Sequence, residues 1–187
     1  KLHDVTGTMP PASMIEDSGA GPQGAGNHDL EVVRDAVFGA PGSADAAQQY
    51  DTFQSAGRSG EDWIGFTALT PPKIEQRFVG LDFQEGLHGN TGGWWQDFRV
   101  EVWDGAVWAP VTHLAVDPPY PFELAGTPGF DGASFDTYAL RFDPLWGSAI
   151  RLIGTPGGSD GFLSVGELRV LEIEADRFQN LSYPEEA

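Results

Sequence analysis

Short runs rich in β-branched and aromatic residues alternate along this chain with clusters of glycine, proline and aspartate. Eight such runs stand out: DLEVVRDAVF, DWIGFTAL, KIEQRFVGLDF, WWQDFRVEVW, AVWAPVTHL, SFDTYALRF, SAIRLIG and FLSVGELRVLEI. Runs of this length and spacing predict an all-β fold, an antiparallel sandwich or barrel of about eight strands. The one helix-compatible stretch outside them is ADAAQQY at 44–50, with Ser43 placed to cap it. Residues 1–28 show no clear periodicity and read as an N-terminal arm or linker, in which Met9, Met14 and Ile15 offer apolar anchors. The sandwich itself is expected over 29–174, with a tail over 175–187.

The segment GGWWQDFRVEVWDGAVWAP holds four of the six tryptophans. Side chains of a strand point alternately to its two faces, so Trp94, Phe98, Val100 and Val102 share one face, and Trp95, Asp97, Arg99, Glu101 and Trp103 the other. The apolar set is expected to face the core, which turns Trp95 outward. Asp104-Gly105 is a two-residue hairpin signal. With Trp103 and Ala106 flanking it, Val102 would pair with Val107 and Glu101 with Trp108, and Trp95, Trp103 and Trp108 would share the outer face. Trp103 and Trp108 are expected to lie under another segment such as the arm.

Composition narrows the function classes. With 28 acidic and 10 basic residues the net charge is −18, so neither nucleic acid nor an anionic membrane is an expected partner. The chain has no cysteine, hence no disulfide framework, thiolate metal site or thiol nucleophile. No run approaches the roughly 18 apolar residues of a membrane helix. The start at Lys1, without an initiator Met or a signal-like stretch, reads as a processed chain or an excised module. Carboxylates are numerous and His3, His28, His88 and His113 are present, yet no spacing singles out a pair of acids for glycoside cleavage, and no nucleophile elbow or phosphate loop appears.

Two stretches resemble a known family. WWQDFRVEVWDGAVWAPV is similar to the hairpin of discoidin-like (coagulation factor type C) domains, and SAIRLIGTPGGSDGFLSVGELRVLE to their C-terminal signature. The resemblance spans roughly residues 30–172 and includes the bacterial members grouped as family 32 carbohydrate-binding modules. It implies a jelly-roll β-sandwich of the galactose-binding-domain-like type, non-catalytic, secreted as a monomeric module within a larger protein, with a structural calcium. On that resemblance Asp35, Thr52 and Glu167 occupy the calcium-binding places, with Asp51 a further oxygen donor. Calcium takes six to eight hard oxygens, which two carboxylates, a hydroxyl and loop carbonyls can supply.

Sugar recognition calls for an aromatic plate and converging polar groups in a hollow. The resemblance places that hollow among loops at one end of the sandwich. Two loops carry the chemistry: GRSGEDW, with Arg58, Glu61 and Trp63, and QEGLHGNTGGWW, with His88, Asn90 and Trp95 as the first choice of plate. Phe162 in GSDGF matches a place where related modules can present an aromatic, although a start of the last core strand is the simpler reading. The expected partner is a glycan. An adhesion or protein-interaction domain on the same scaffold is the first alternative. A small jelly-roll lyase or hydrolase, needing a histidine or tyrosine beside a carboxylate in a cleft, is the second.

Overall fold

The computed structural model describes residues 1–15, 26–53, 60–67, 76–122 and 135–173, with only the backbone described for 11–15. Eleven strands form within them. In chain order these are β1 (Leu2–Asp4), β2 (Pro11–Ile15), β3 (Tyr50–Asp51), β4 (Asp62–Thr67), β5 (Gln76–Glu85), β6 (Arg99–Trp103), β7 (Trp108–Pro110), β8 (Ala115–Asp117), β9 (Thr137–Gly147), β10 (Ala149–Gly154) and β11 (Ser164–Ile173). The first sheet runs β1-β11-β5-β9-β8, with β3 also pairing β11, and the second runs β2-β4-β10-β6-β7. No described helix is long and apolar enough to cross a membrane.

Period-two patterning explains how the sheets close on each other. Ile64, Phe66, Val100, Val102, Ile150 and Leu152 from the second sheet meet Phe78, Leu81, Phe83, Leu140, Leu168 and Val170 from the first, all fully buried. Burying a side chain of this size stabilises by about 1.5–3 kcal/mol, so the paired apolar faces drive the fold. The first fifteen residues are built into the body: Leu2 pairs with Ile173 at one edge, and Pro11 with Phe66 at an edge of the other sheet. Met9 is 2% exposed, as its apolar character suggests.

Several local expectations are corrected. DLEVVRDAVF holds a 3-10 turn, Leu30–Arg34, rather than a strand; Asp29 caps it by accepting from the Glu31 N–H. The helix-compatible stretch contracts to a 3-10 turn at Ala46–Gln48, capped by Asp45 and not by Ser43. The hairpin between β6 and β7 closes through four residues, Asp104–Val107. Trp103 therefore pairs with Trp108, Val102 with Ala109 and Glu101 with Pro110. The Asp104 carboxylate accepts from the N–H groups of Ala106 and Val107, and this dictates the wider turn.

Trp95 is the larger correction. It is 1% exposed and belongs to the core, edge-on to Phe98, instead of facing out. Strand β6 begins only at Arg99. Residues 94–98 bend into the fold, with an isolated bridge from Trp95 to Pro156, so strand parity does not extend back to Trp95.

Candidate functional site

The loops after β5 and between β10 and β11 meet at one end of the sandwich, beside β3. Gly89 and Gly92 exchange backbone hydrogen bonds at 2.8 and 3.2 Å, which folds Leu87–Gly93 into a tight hairpin. That hairpin is laced to the second loop: Ser159 donates to the Asn90 carbonyl at 3.1 Å, Asp160 to Thr91 at 2.9 Å, and Gly93 to Phe162 at 2.8 Å. Glycine is required at position 92, where φ is 154° and a Cβ would lie 2.4 Å from the Phe162 ring. The Gln49 side chain ties in the third segment, accepting from Leu87 N at 2.6 Å and donating to Ser164 Oγ at 3.3 Å.

Between these segments lies a cavity of about 420 Å³. Phe53 and Phe162 wall it, their rings edge to face at 5.3 Å. His88, Thr91, Asp51 and Asp160 supply its polar lining. This combination, a half-buried aromatic wall with a few fixed polar groups, suits the apolar face and the hydroxyls of a small polar ligand.

Behind His88 stands a buried network. The His88 ring Nδ1 lies 2.9 Å from Glu85 Oε2, and the His88 side chain is 10% exposed while Glu85 is fully buried. Tyr120 donates to the other Glu85 oxygen and itself accepts from the Trp95 N–H at 2.9 Å. Burial, then Glu85, holds the Tyr120 phenol well above its ordinary value, so it stays protonated and donates. Both Glu85 oxygens are thus engaged, and the carboxylate orients the His88 ring.

The expected sugar residues scatter. His88 lines the cavity and Asn90 is exposed on the hairpin between two lining residues. Trp95, in the core, has no face to offer a ligand. Glu61 and Trp63 lie on the outer face of the second sheet, where Glu61 pairs with Arg99, and Arg151 lies 5.6 Å from the Trp63 ring. Trp108 and Trp103 continue that row, with Arg151 4.2 Å from the Trp108 ring and bridged to Glu101 at 2.6 Å. Arg58 lies outside the described residues. Phe53, Gln49 and Asp160 were not anticipated; a phenylalanine after a predicted oxygen donor and an Asp in the GSDGF loop were the available signals.

The expected calcium set divides in two. Glu167 on β11 is 1% exposed, its Oε2 has no hydrogen-bond partner among the described residues, and its carboxyl is raised to about 7 by burial and then by the Asp35 charge. A buried carboxylate with an orphaned oxygen, beside the exposed carboxylate of Asp35, fits a hard cation. Asp51 and Thr52 belong instead to the cavity end. Thr52 Oγ1 donates to Asp62 at 2.7 Å and accepts from Leu163 N at 2.9 Å. Asp51 accepts from Asn27 N and Phe53 N. No three acidic, histidine or cysteine side chains converge among the described residues, so Asp51 does not join Asp35 and Glu167. The insertion at 39–49 separates the two pairs in sequence.

The fold has close counterparts of known structure. A structure from the Streptococcus pneumoniae β-galactosidase BgaA superposes with a TM-score of 0.62 at 10% identity, covering 89% of this chain and 92% of that one. The family 32 module of Clostridium perfringens NanJ, solved in complex with galactose, gives 0.57 at 13% identity over 92% of this chain and all (100%) of its own. A mutant of chitosan-binding module 1, from a Paenibacillus chitosanase/glucanase, gives 0.54 at 14% identity over 91% and 99%. No family model and no curated protein matches the sequence. The chain therefore has the two-sheet β-sandwich fold seen in the family 32 module of NanJ and in chitosan-binding module 1.

Proposed function

We propose that the chain is a non-catalytic carbohydrate-binding module that targets a larger secreted protein to a glycan. The observation that carries this reading is the cavity walled by Phe53 and Phe162 and lined by His88, Thr91 and Asp160, on a fold whose NanJ counterpart was solved with galactose. A sugar ring stacks its apolar face on Phe162 while its hydroxyls bond the polar lining, with His88 held in place by Glu85 and Tyr120. Such binding raises the local concentration of an attached domain on its substrate. At about 0.3 kcal/mol per non-hydrogen atom, a single hexose is worth roughly 4 kcal/mol, a Kd on the order of 1 mM, and longer glycans bind more tightly.

A calcium ion held by Asp35 and Glu167 completes the proposal. Supporting it are the orphaned Glu167 oxygen and the like charge beside it. When bound, the ion supplies the positive charge that lets both carboxylates stay ionised, bracing the 3-10 turn at Leu30–Arg34 against β11.

Calorimetric titration with galactose, galactosyl oligosaccharides and chito-oligosaccharides tests the function. Binding that weakens by about tenfold or more in Phe162→Ala supports it. Failure of every sugar at high millimolar concentration rules it out.

A further inference from the structure

We propose that this cavity selects an amino sugar carrying a free ammonium group over neutral and acidic sugars, an inference that rests on reading the cavity as the glycan site. The counterparts solved with galactose and named for chitosan share one fold, so the fold does not choose between these ligands and the lining must.

Carboxylates dominate the lining, whose one basic side chain, His88, is engaged by Glu85. Asp51 and Asp160 both contribute to it, whereas no described lysine or arginine does. Among the described residues, Arg99 is paired with Glu61 and Glu101, Arg151 with Glu101, Arg141 with Asp82, Arg34 with Glu31 and Arg169 with Asp4. Around them the whole chain carries a net charge of −18. An incoming cation is attracted at long range, and a uronate or sulfated sugar is repelled.

The two carboxylates play different parts. Asp51 is 5% exposed and holds the loop through Asn27 N and Phe53 N. Burial raises its carboxyl, opposed by the N–H groups of Phe53 and Asn27 and by the nearby His28. Asp160 is half-buried at the cavity wall, its backbone fixed by the hydrogen bond to Thr91, and no described basic side chain pairs with it. Its Oδ1 accepts from Ser159 Oγ at 3.3 Å, a contact that an ammonium donor readily replaces. Asp160 is thus the specificity-determining acceptor, while Phe53 and Phe162 take the ring. N-acetylation removes the charge and with it the advantage.

Calorimetry at about pH 6 compares four ligands: a glucosamine trimer, the fully N-acetylated trimer, galactose and galacturonic acid. The glucosamine trimer should bind at least about tenfold more tightly than the acetylated one, a difference of about 1.4 kcal/mol. That ratio should fall below about threefold in Asp160→Asn, and likewise for the unmodified protein in about 0.5 M salt, which screens the pair. Equal affinity for the two trimers overturns the inference, as does a ratio that survives either the substitution or the salt. Galactose binding without any preference for the amine overturns it too but leaves the sugar-binding reading standing. Absence of binding by all four brings down both.

Discussion

Replacing Glu167 by Gln should stabilise the cation-free protein at pH 8 and abolish its response to calcium. Burial and the Asp35 charge raise the folded-state value from 4.5 to about 7. A carboxyl whose folded value is raised binds more protons folded than unfolded between those limits, so stability falls as pH climbs through that window. Below pH 4.5 the group is protonated in both states and imposes no penalty. Above pH 7 the penalty is complete. At 1.36 kcal/mol per pH unit it comes to about 3 kcal/mol, an upper figure because local relaxation lowers it. For a chain of this size that shifts Tm by about 6–12 °C. The substitution retains an oxygen to accept from the Ala36 N–H, the backbone bond that Glu167 already makes. The assay is thermal unfolding from pH 5 to 8 in chelator and in excess calcium. The native protein should lose stability toward pH 8 in chelator and recover it with calcium, by up to about 4 kcal/mol at a thousandfold excess over Kd. Glu167→Gln should show neither effect. A flat pH profile in chelator, or a variant that is less stable at pH 8, refutes the reasoning.

Tyr120→Phe removes a buried donor to Glu85 and the hydroxyl that accepts from the Trp95 N–H at once. It should cost about 2–4 kcal/mol in urea unfolding and weaken sugar binding through a loosened His88; an unchanged midpoint would show the network to be idle. Trp95→Ala should cost about 3–5 kcal/mol, since the indole lies in the core, and a soluble, equally stable variant would contradict its placement.

Much of the architecture was legible because strand patterning is local. Alternation within β6 and β10 separates Val100, Val102, Ile150 and Leu152 from Arg99, Glu101 and Arg151, and the structure buries the first set against the opposite sheet. The misreadings come from places where a local side chain competes with the ladder. Asp29 converts an apparent strand to a 3-10 turn, and Asp104 widens a two-residue turn to four. Trp95 looked exposed only while strand parity was extended past the point where the strand begins. His88 could be picked out because its loop is rich in turn residues and polar groups. Phe162 was weighed only through the family resemblance, and its pairing with Phe53 could not be read, because the two stand more than a hundred residues apart and meet only after β3 has paired with β11. Where Asp51 and Thr52 sit was hidden for the same reason. The family resemblance set them beside Asp35, whereas their partners Asn27, Asp62 and Leu163 hold them at the cavity end.

Backbone amide shifts of the isotopically labelled protein during titration with a bound sugar test the central claim most directly. The account predicts shifts concentrated at Leu87–Gly93, Phe53 and Asp160–Leu163, around the cavity. Shifts centred instead on Trp63, Trp103, Trp108 and Arg151, the outer face of the second sheet, would contradict it.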